Sequence, residues 1–336
     1  MKKFGLLAVA LCLTACGGGG GGGASPSGLG TLGTGGVNVP APPVYQASSI
    51  DNSVTTYTTT EPEVKNAFDR LSAERSQCGF GALRQSQSLE LAARNHADWQ
   101  NLNNYTSHSE ISGTLGYTGV TPLERTAYAG YAGVDVSEGL TRYVGRTSKS
   151  GMGESESRTL LLAPYHMLAM LRGTRDVGIA IRNSVDVNAS VGGVVTEFEL
   201  GYLPSDGKQL PSSSDVLTYP CDGVIGTRYK LTSETPQVEA SRNYITNPTG
   251  QPIYVVVREG NNLTVSSASV VNALTGSSIA TKSLTYSNDR NGMLRPNEVL
   301  VIPDVALEPS TPYAVVLTGS NSGVAFTRSF SFTTGI

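Results

Sequence analysis

The spacing of apolar residues predicts a helix over residues 61–76. Val64 and Phe68 lie four positions apart, and further apolar residues continue the same face. Thr60 stands three residues before Glu63, which is the spacing of a capping box at a helix start. This pattern predicts an amphipathic helix with one side against a core.

A second helix is predicted from about Ser86 to Leu102, because small and large apolar residues again recur at helical spacing. Its inner face includes His96 and Trp99. We interpret His96 as a histidine at the core or its edge and Trp99 as a core residue. Single side chains of these types on an apolar helix face more often pack than bind a ligand.

The pattern then changes from helical to alternating. A polar loop is predicted at residues 103–110 and a further helical stretch at 160–171. Residues 176–183 and 194–202 alternate between apolar and polar positions, which predicts two strands. Helices followed by strands predict an α+β fold for this part of the chain.

The last third of the chain is predicted to be all-β. Short strands separated by turns are predicted at residues 252–258, 263–265, 298–302 and 314–317. The first two are expected to form a hairpin around the turn at Glu259-Gly260-Asn261-Asn262. In the last strand Phe330 and Phe332 share one face. Short strands at this spacing predict a sandwich.

The first residues have the layout of a secretory signal. Lys2 and Lys3 precede an apolar run at residues 4–13, which is too short to span a bilayer, and small residues follow it. Leu13-Thr14-Ala15-Cys16 resembles the bacterial lipobox. We therefore expect a lipoprotein signal peptide over residues 1–15 and acylation of Cys16, including palmitate. An ordinary signal peptide followed by a chance cysteine is the alternative.

Glycines fill positions 17–23 and begin a segment that is poor in apolar residues. Such a chain behaves as a flexible coil, so residues 16–58 are expected to form a tether. Two or more acyl chains make anchoring to a lipid bilayer stable. A bacterial envelope location is expected, and Gly17 after Cys16 favours the outer membrane. The sequence leaves open whether the protein faces the periplasm or the cell surface.

Composition narrows the class of partner and the number of domains. The chain has 336 residues, with 24 Lys and Arg against 27 Asp and Glu, and a net charge of −3. A nucleic-acid-binding protein would carry a basic patch or stripe, so no nucleic-acid partner is expected. At about 150 residues per domain, two domains are expected, and we place them at residues 59–207 and 208–336.

The four cysteines have different expected fates. Cys12 would leave with the signal peptide, and Cys16 would carry the lipid. Cys78 and Cys221 remain as an even pair in a protein exported to an oxidising space, which favours a disulfide between them. A bridge over so long a loop is worth roughly 4–5 kcal/mol in the chain-entropy model. Two buried free thiols are the alternative.

Five short motifs occur in order through the middle of the chain: Ser107-His108, Glu124-Arg125 with Ala129-Gly130-Tyr131, Glu138-Gly139, Pro164-Tyr165-His166, and Asp176-Val177-Gly178-Ile179-Ala180. Their order and spacing resemble the bacterial branch of the CAP superfamily, over roughly residues 60–205. This superfamily includes cysteine-rich secretory proteins, insect venom allergens and pathogenesis-related plant proteins. The resemblance implies an α-β-α sandwich with a central cleft.

The resemblance also implies a site. In the family two histidines and usually two acidic residues converge in the cleft, where some members bind a divalent metal such as zinc. His108, Glu138 and His166 match the first histidine, one acid and the second histidine, and they are the expected metal ligands. The second acid stays open between Glu110, which is nearest to His108, and Glu154 or Glu156, which precede His166.

Two positions depart from the family pattern. Leu160 stands where a tryptophan is common, which is expected to alter the packing beneath the cleft. Gly139 follows Glu138 where asparagine is common, and this is expected to loosen a turn that aims Glu138.

In the last third, the segment from Leu307 to Tyr313 and the closing Phe332-Thr333-Thr334-Gly335 resemble bacterial immunoglobulin-like domains. The resemblance implies an immunoglobulin-like sandwich over residues 208–336. Because no polar cluster suited to catalysis is visible there, a spacer or adhesion module is expected.

Three functions remain for the cleft. It binds a metal, lipid, sterol or glycan ligand; or it is vestigial in a structural or adhesion protein; or it hydrolyses a substrate, with Glu138 as base and the two histidines orienting a metal-bound water. We favour binding and place hydrolysis last. The chain has no GxSxG or HExxH motif, so the sequence names no catalytic nucleophile and does not establish an enzyme.

Overall fold

The structure is a computed structural model that describes residues 11–12 and 47–336. The predicted signal peptide, apart from residues 11–12, lies outside the described residues, as do Cys16 and the tether up to residue 46. Within the described part of the chain, no helix combines the length and apolar character needed to cross a membrane.

The first region comprises residues 47–210 and Leu11–Cys12, and it is built around one mixed sheet. The strands of this region are β1 (Leu11–Cys12), β2 (Ala47–Ser49), β3 (Arg84–Gln85), β4 (Val134–Val144), β5 (Asp176–Asn183), β6 (Gly193–Tyr202) and β7 (Lys208–Leu210). Its helices are α1 (Pro62–Cys78), α2 (Gln87–Asn103), α3 (Pro122–Tyr128), α4 (Met152–Leu162) and α5 (Pro164–Leu171), with a 3₁₀ turn at Ser184–Val187. The sheet order is β1-β4-β6-β5-β3, and β2 pairs with β7 separately.

Helices cover both faces of this sheet. On one face a Cβ at Gly178 would lie 2.0 Å from the main-chain nitrogen of Glu90, so the absence of a side chain lets α2 approach β5. On the other face a Cβ at Gly139 would meet Met170 of α5 and Leu160 of α4. The predicted α+β class and α-β-α sandwich are confirmed.

Local sequence patterns predict the positions of α1 and α2 correctly, but the predicted capping box at Thr60 does not form. The N-cap of α1 is Glu61, and no side chain caps it. The Glu63 carboxylate instead accepts hydrogen bonds from the main-chain nitrogens of Gly151 and Gly153, where α4 begins. Ser86, where the second helix is predicted to begin, is the N-cap of α2, and its hydroxyl accepts a hydrogen bond from the Leu89 nitrogen.

Two parts of the cleft region differ from the sequence prediction. The helical stretch at 160–171 is two helices, because Ala163 precedes Pro164 and is extended. Glu138-Gly139 lies within β4 and not at a turn. Residues 138–142 of β4 are all buried although Glu138, Thr141 and Arg142 are polar, so the sequence shows no alternation of apolar and polar positions that predicts the strand.

The second region, residues 211–336, is all-β, as predicted. Its strands are β8 (Val216–Tyr219), β9 (Val224–Thr227), β10 (Ile253–Val257), β11 (Leu263–Asn272), β12 (Ser278–Ile279), β13 (Thr281–Thr285), β14 (Glu298–Pro303), β15 (Pro312–Asn321) and β16 (Val324–Thr334). They form two sheets, β13-β14-β10-β8 and β12-β11-β15-β16-β9.

The predicted hairpin at residues 252–265 is wrong. The strand β10 pairs with β14 and β8, whereas β11 pairs with β15 and β12. The turn therefore carries the chain from one sheet to the other. A turn signal indicates that the chain reverses, but strand partners are chosen by non-local packing.

The two regions are joined covalently and by packing. Cys78, at the end of α1, is bonded to Cys221, which follows β8, so the predicted disulfide is confirmed. Residues 47–58, which the sequence analysis placed in the tether, pack on the first region. Tyr57 is 3% exposed, and its hydroxyl accepts a hydrogen bond from the Ile179 nitrogen, so the tether ends earlier than predicted.

Candidate functional site

His108, Glu138 and His166 come together in the structure. His108 lies in the loop between α2 and α3, Glu138 is in β4, and His166 is the third residue of α5. The His108 Nδ1 atom hydrogen-bonds the Glu138 Oε1 atom. The ring centroids of His108 and His166 are 5.9 Å apart. Three distant elements thus build one cluster.

Glu138 is fully buried and is held as a carboxylate by its neighbours. Its Oε2 atom accepts a hydrogen bond from the Arg125 guanidinium, and its Oε1 atom contacts His108. Burial alone would raise the pKa of Glu138, but the positive charge of Arg125, together with the hydrogen bond from His108, keeps that pKa well below its usual range. Both oxygens of Glu138 are therefore committed to protein partners.

The contact with an ionised Glu138 determines the state of His108. Because the carboxylate accepts, the Nδ1 atom of His108 carries the proton and donates it. Burial lowers the pKa of His108 despite the attraction of Glu138, so the neutral imidazole is favoured. Its Nε2 atom then has a lone pair, and it is buried without a hydrogen-bond partner among the described residues.

His166 is arranged in the same way, with a partner that the sequence analysis missed. Its Nδ1 atom lies 3.3 Å from Oε1 of Glu234, a residue between β9 and β10 of the second region. The main-chain nitrogen of Tyr165 donates to the same oxygen at 3.3 Å. The Nε2 atom of His166 is also buried and unpartnered within the described chain. Nothing in the local sequence distinguishes Glu234 from a glutamate without a role in the site.

None of the three candidates for the second acid reaches the histidine pair. Glu110 accepts from the Thr118 nitrogen at 2.6 Å and contacts His96 at 3.0 Å, so it orders the loop that carries His108. Glu154 is on the surface and pairs with Arg70. Glu156 is buried and hydrogen-bonds the hydroxyl of Tyr143.

The acids nearest to Glu138 are instead Glu197 and Glu199 of β6. Glu199 is the register partner of Glu138, and Glu197 lies two residues along the same strand. Burial, followed by the charge of Glu138, raises the pKa of both carboxyls well above the usual value, which favours their protonated form. The alternation of β6 puts them on one face, but the sequence analysis treated that strand only as structural.

By spacing alone, His96, Glu138 and Glu197 form a buried group that is able to hold a metal, with one ligand atom from each within 4.8 Å of the others. The chemistry of His96 does not fit this role. Its Nδ1 atom contacts Glu110 at 3.0 Å, and its Nε2 atom contacts the Ser107 carbonyl at 2.9 Å. A carbonyl only accepts, so Nε2 carries a proton and offers no lone pair.

His96 is therefore buried, as expected for a core histidine, but it belongs to the polar network that supports the site. Its ring also stacks on Trp99, with centroids 5.6 Å apart. Trp99 is fully buried and donates to the Thr114 hydroxyl, in line with the core role predicted for it.

The two departures from the family pattern meet beneath the cluster. A Cβ at Gly139 would lie 3.0 Å from Met170 Sδ and 3.3 Å from a methyl group of Leu160. Leu160 and Gly139 thus pack against each other. The prediction that Gly139 loosens a turn is wrong, because β4 holds Glu138 in regular strand pairing.

The cluster is nearly closed to solvent. His108 is 9% exposed and His166 is 1% exposed. The second region covers α5: Glu234 contacts His166, and Asp289 accepts a hydrogen bond from the Tyr165 hydroxyl at 2.6 Å. The Nε2 atoms of both imidazoles are therefore shielded from solvent.

Comparison with known proteins finds one matching family model and a similar solved structure. The model of the cysteine-rich secretory protein family, CAP, matches residues 68–195. Among solved structures, the chain is similar to an outer surface protein from Borrelia burgdorferi, with 18% identity over 43% of this chain and 96% of that one and a TM-score of 0.33. No curated protein sequence matches the chain.

Proposed function

We propose that the part of the chain that matches the CAP family model, residues 68–195, binds a divalent metal ion, such as zinc, between Nε2 of His108 and Nε2 of His166. The observation that carries the proposal is that both nitrogens are buried without a partner in the described chain. A buried polar atom left unpaired costs about 1–3 kcal/mol. Two such atoms on neighbouring rings indicate a position for a cation.

The surroundings of the two rings fit a metal. Histidines that bind metals usually donate their other ring N–H to a carboxylate or carbonyl, which fixes the tautomer. His108 has Glu138 in that place, and His166 has Glu234. The 5.9 Å between ring centroids also fits, since two imidazoles on one zinc ion, with Zn–N bonds of about 2.0–2.1 Å, have centroids roughly 5–6 Å apart. Glu138, which the sequence analysis expected as a ligand, is in this proposal the partner of a ligand.

Enclosure of the site favours an ion over the other ligands considered. Pockets for drug-sized organic ligands measure about 300–1,000 Å³, whereas His166 is 1% exposed and the second region covers its helix. An acyl chain, a sterol or a glycan would have to displace that region. A bound divalent ion would supply a Lewis acid with further coordination positions for an oxygen ligand.

The state of Glu138 favours binding over hydrolysis. A general base works best when its pKa is near the operating pH. Arg125 holds the pKa of Glu138 far below that range, and its oxygens are already bonded to Arg125 and His108. Glu138 therefore positions His108 and is a poor base. The proposed role is metal binding, with stabilisation of the closed site as its direct consequence.

We also propose that the protein works at the bacterial cell envelope, anchored to the outer membrane by acylated Cys16. The lipobox-like Leu13-Thr14-Ala15-Cys16 supports this, as does the Cys78–Cys221 disulfide, because disulfides persist in exported proteins. The glycine-rich segment after Cys16 would then separate the folded regions from the bilayer.

Cobalt and zinc titrations of the full-length protein in detergent test the metal proposal. We expect one ion per chain in the wild type and loss of that ion in the His108→Ala/His166→Ala double variant. Glu197→Gln is the matched comparison, because it alters the alternative group and leaves both Nε2 atoms in place. If only Glu197→Gln loses the ion, the metal site is instead the group His96, Glu138 and Glu197. If the wild type binds no ion, the result favours a structural protein with a vestigial cleft.

A further inference from the structure

We infer that Glu234, from the second region, is a positioning residue for His166, so that the two regions build the site together. The functional consequence of this inference rests on the metal binding proposed above. The geometric part stands without it, because it concerns only which nitrogen of His166 carries the proton.

The hydrogen bonds around Glu234 determine the tautomer of His166. The main-chain N–H of Tyr165 can only donate, and it points to Oε1 of Glu234 at 3.3 Å. This oxygen is therefore an acceptor, and the Nδ1 atom of His166, also 3.3 Å away, is placed to donate to it as well. The proton of His166 then lies on Nδ1, and Nε2 presents its lone pair to the side of the ring opposite Glu234.

Water does not have access to take over the hydrogen bond that the Glu234 carboxylate makes with His166, because both residues are buried. Glu234 is 2% exposed and His166 is 1% exposed. Within the described chain the second oxygen of Glu234, Oε2, has no partner, so the carboxyl is able to carry a proton there without disturbing Oε1. Without the Glu234 side chain, the Nδ1 atom of His166 would be left in a dry environment, where the ring is free to adopt the other tautomer.

The segment that carries Glu234 is itself held against the first region. Leu231 and Thr249 form a bridge that closes the segment, and the Gln251 side chain donates to the Leu161 carbonyl at 2.9 Å. Asp289 accepts a hydrogen bond from the Tyr165 hydroxyl. The second region thus contacts the start of α5 through both Glu234 and Asp289. This is a more specific role than the spacer or adhesion module expected from the sequence.

Nitrogen-15 NMR of the histidine rings in the metal-free, full-length protein tests the tautomer directly. We expect the Nδ1–H form of His166 in the wild type, its loss in Glu234→Ala, and its retention in Glu234→Gln, whose amide oxygen still accepts. Glu239→Gln, in the same segment but paired on the surface with Lys282, is the control and should leave the tautomer unchanged. An Nε2–H form in the wild type, or the Nδ1–H form persisting in Glu234→Ala, would overturn the inference.

Cobalt binding by the same variants tests the consequence. Loss of a group that orients a metal-binding histidine usually lowers affinity 10–100-fold. We expect a fall of about that size in Glu234→Ala, a smaller one in Glu234→Gln, and none in Glu239→Gln. Wild-type affinity in a folded Glu234→Ala protein would refute a positioning role. If the wild type binds no cobalt, the metal proposal fails, while the NMR result still decides the role of Glu234.

Discussion

Arg172 and Glu298 form a bidentate ion pair across the boundary between the two regions. The Arg172 Nε atom donates to Oε1 of Glu298 at 2.8 Å, and its Nη2 atom donates to Oε2 at 2.7 Å. Arg172 follows α5, the helix that carries His166, and Glu298 is the first residue of β14. The pair therefore ties the helix of the candidate site to the second region.

Removal of the Glu298 carboxylate should lower the stability of the fold markedly. Breaking a buried ion pair from one side costs about 3–5 kcal/mol, because the remaining charge is left unpaired. We expect Glu298→Gln to lower the free energy of unfolding by that amount, as measured by denaturant titration. Glu308→Gln, an exposed position in the same region, should change it little. Equal stabilities of the two variants would show that the pair contributes nothing.

The same pair predicts how stability depends on pH. Burial would raise the pKa of Glu298, but Arg172, with further help from Arg295, holds that pKa below its usual range. Because the folded-state pKa is depressed, the stabilisation is complete above the unfolded value of about 4.3 and is lost as the pH falls through the folded-state pKa. The melting temperature of the wild type should therefore fall more steeply below pH 4 than that of Glu298→Gln. Parallel curves would contradict this.

Two neighbouring buried glutamates should differ strongly in how much stability the same substitution costs. Glu138 is ionised and paired with Arg125, so Glu138→Gln should cost about 3–5 kcal/mol of stability. The protonated form of Glu199 is favoured, because burial and Glu138 raise its pKa, and glutamine resembles a protonated glutamate. Glu199→Gln should therefore change the free energy of unfolding by about 1 kcal/mol or less. A large loss in Glu199→Gln would mean that Glu199 is the ionised group.

The disulfide should stabilise both regions together. Cys78 and Cys221 are 143 residues apart, and closing a loop of that length contributes roughly 4–5 kcal/mol in the chain-entropy model. We expect the Cys78→Ser/Cys221→Ser double variant to unfold at a clearly lower denaturant concentration than the oxidised wild type. Peptide mapping without reductant should recover the two cysteines in one linked peptide. Free thiols at both positions would rule out the bridge.

Acylation of Cys16 should control membrane attachment. Because the acyl chains supply the anchoring, Cys16→Ser should move the protein from the detergent phase to the aqueous phase in a phase-separation assay. Cys12→Ser is the matched control, since Cys12 lies inside the predicted signal peptide and should not alter partition of the mature protein. Unchanged partition of Cys16→Ser would disprove the anchor.

Local sequence patterns predicted the elements in which apolar residues recur at helical or alternating spacing. The helix α2 has one apolar face, and β5, with Val177, Ile179 and Ile181 at alternate positions, was predicted with its observed bounds. By contrast, β4 was missed because its buried positions 138–142 include Glu138 and Arg142, so its sequence lacks the alternation that reveals a strand. The turn at residues 259–262 was found, but its two strands joined different sheets.

Four features could be predicted from the amino-acid sequence: the α+β class, the all-β second region, the cysteine pair and the two histidines that meet. Each of these follows from local periodicity, from residue counts or from motifs in a recognisable order. The partners of those histidines could not be predicted in this way. Glu138 reaches His108 from β4, and Glu234 reaches His166 from 68 positions further along the chain. Proton positions depend on such contacts, which long-range packing creates and which no local sequence pattern encodes.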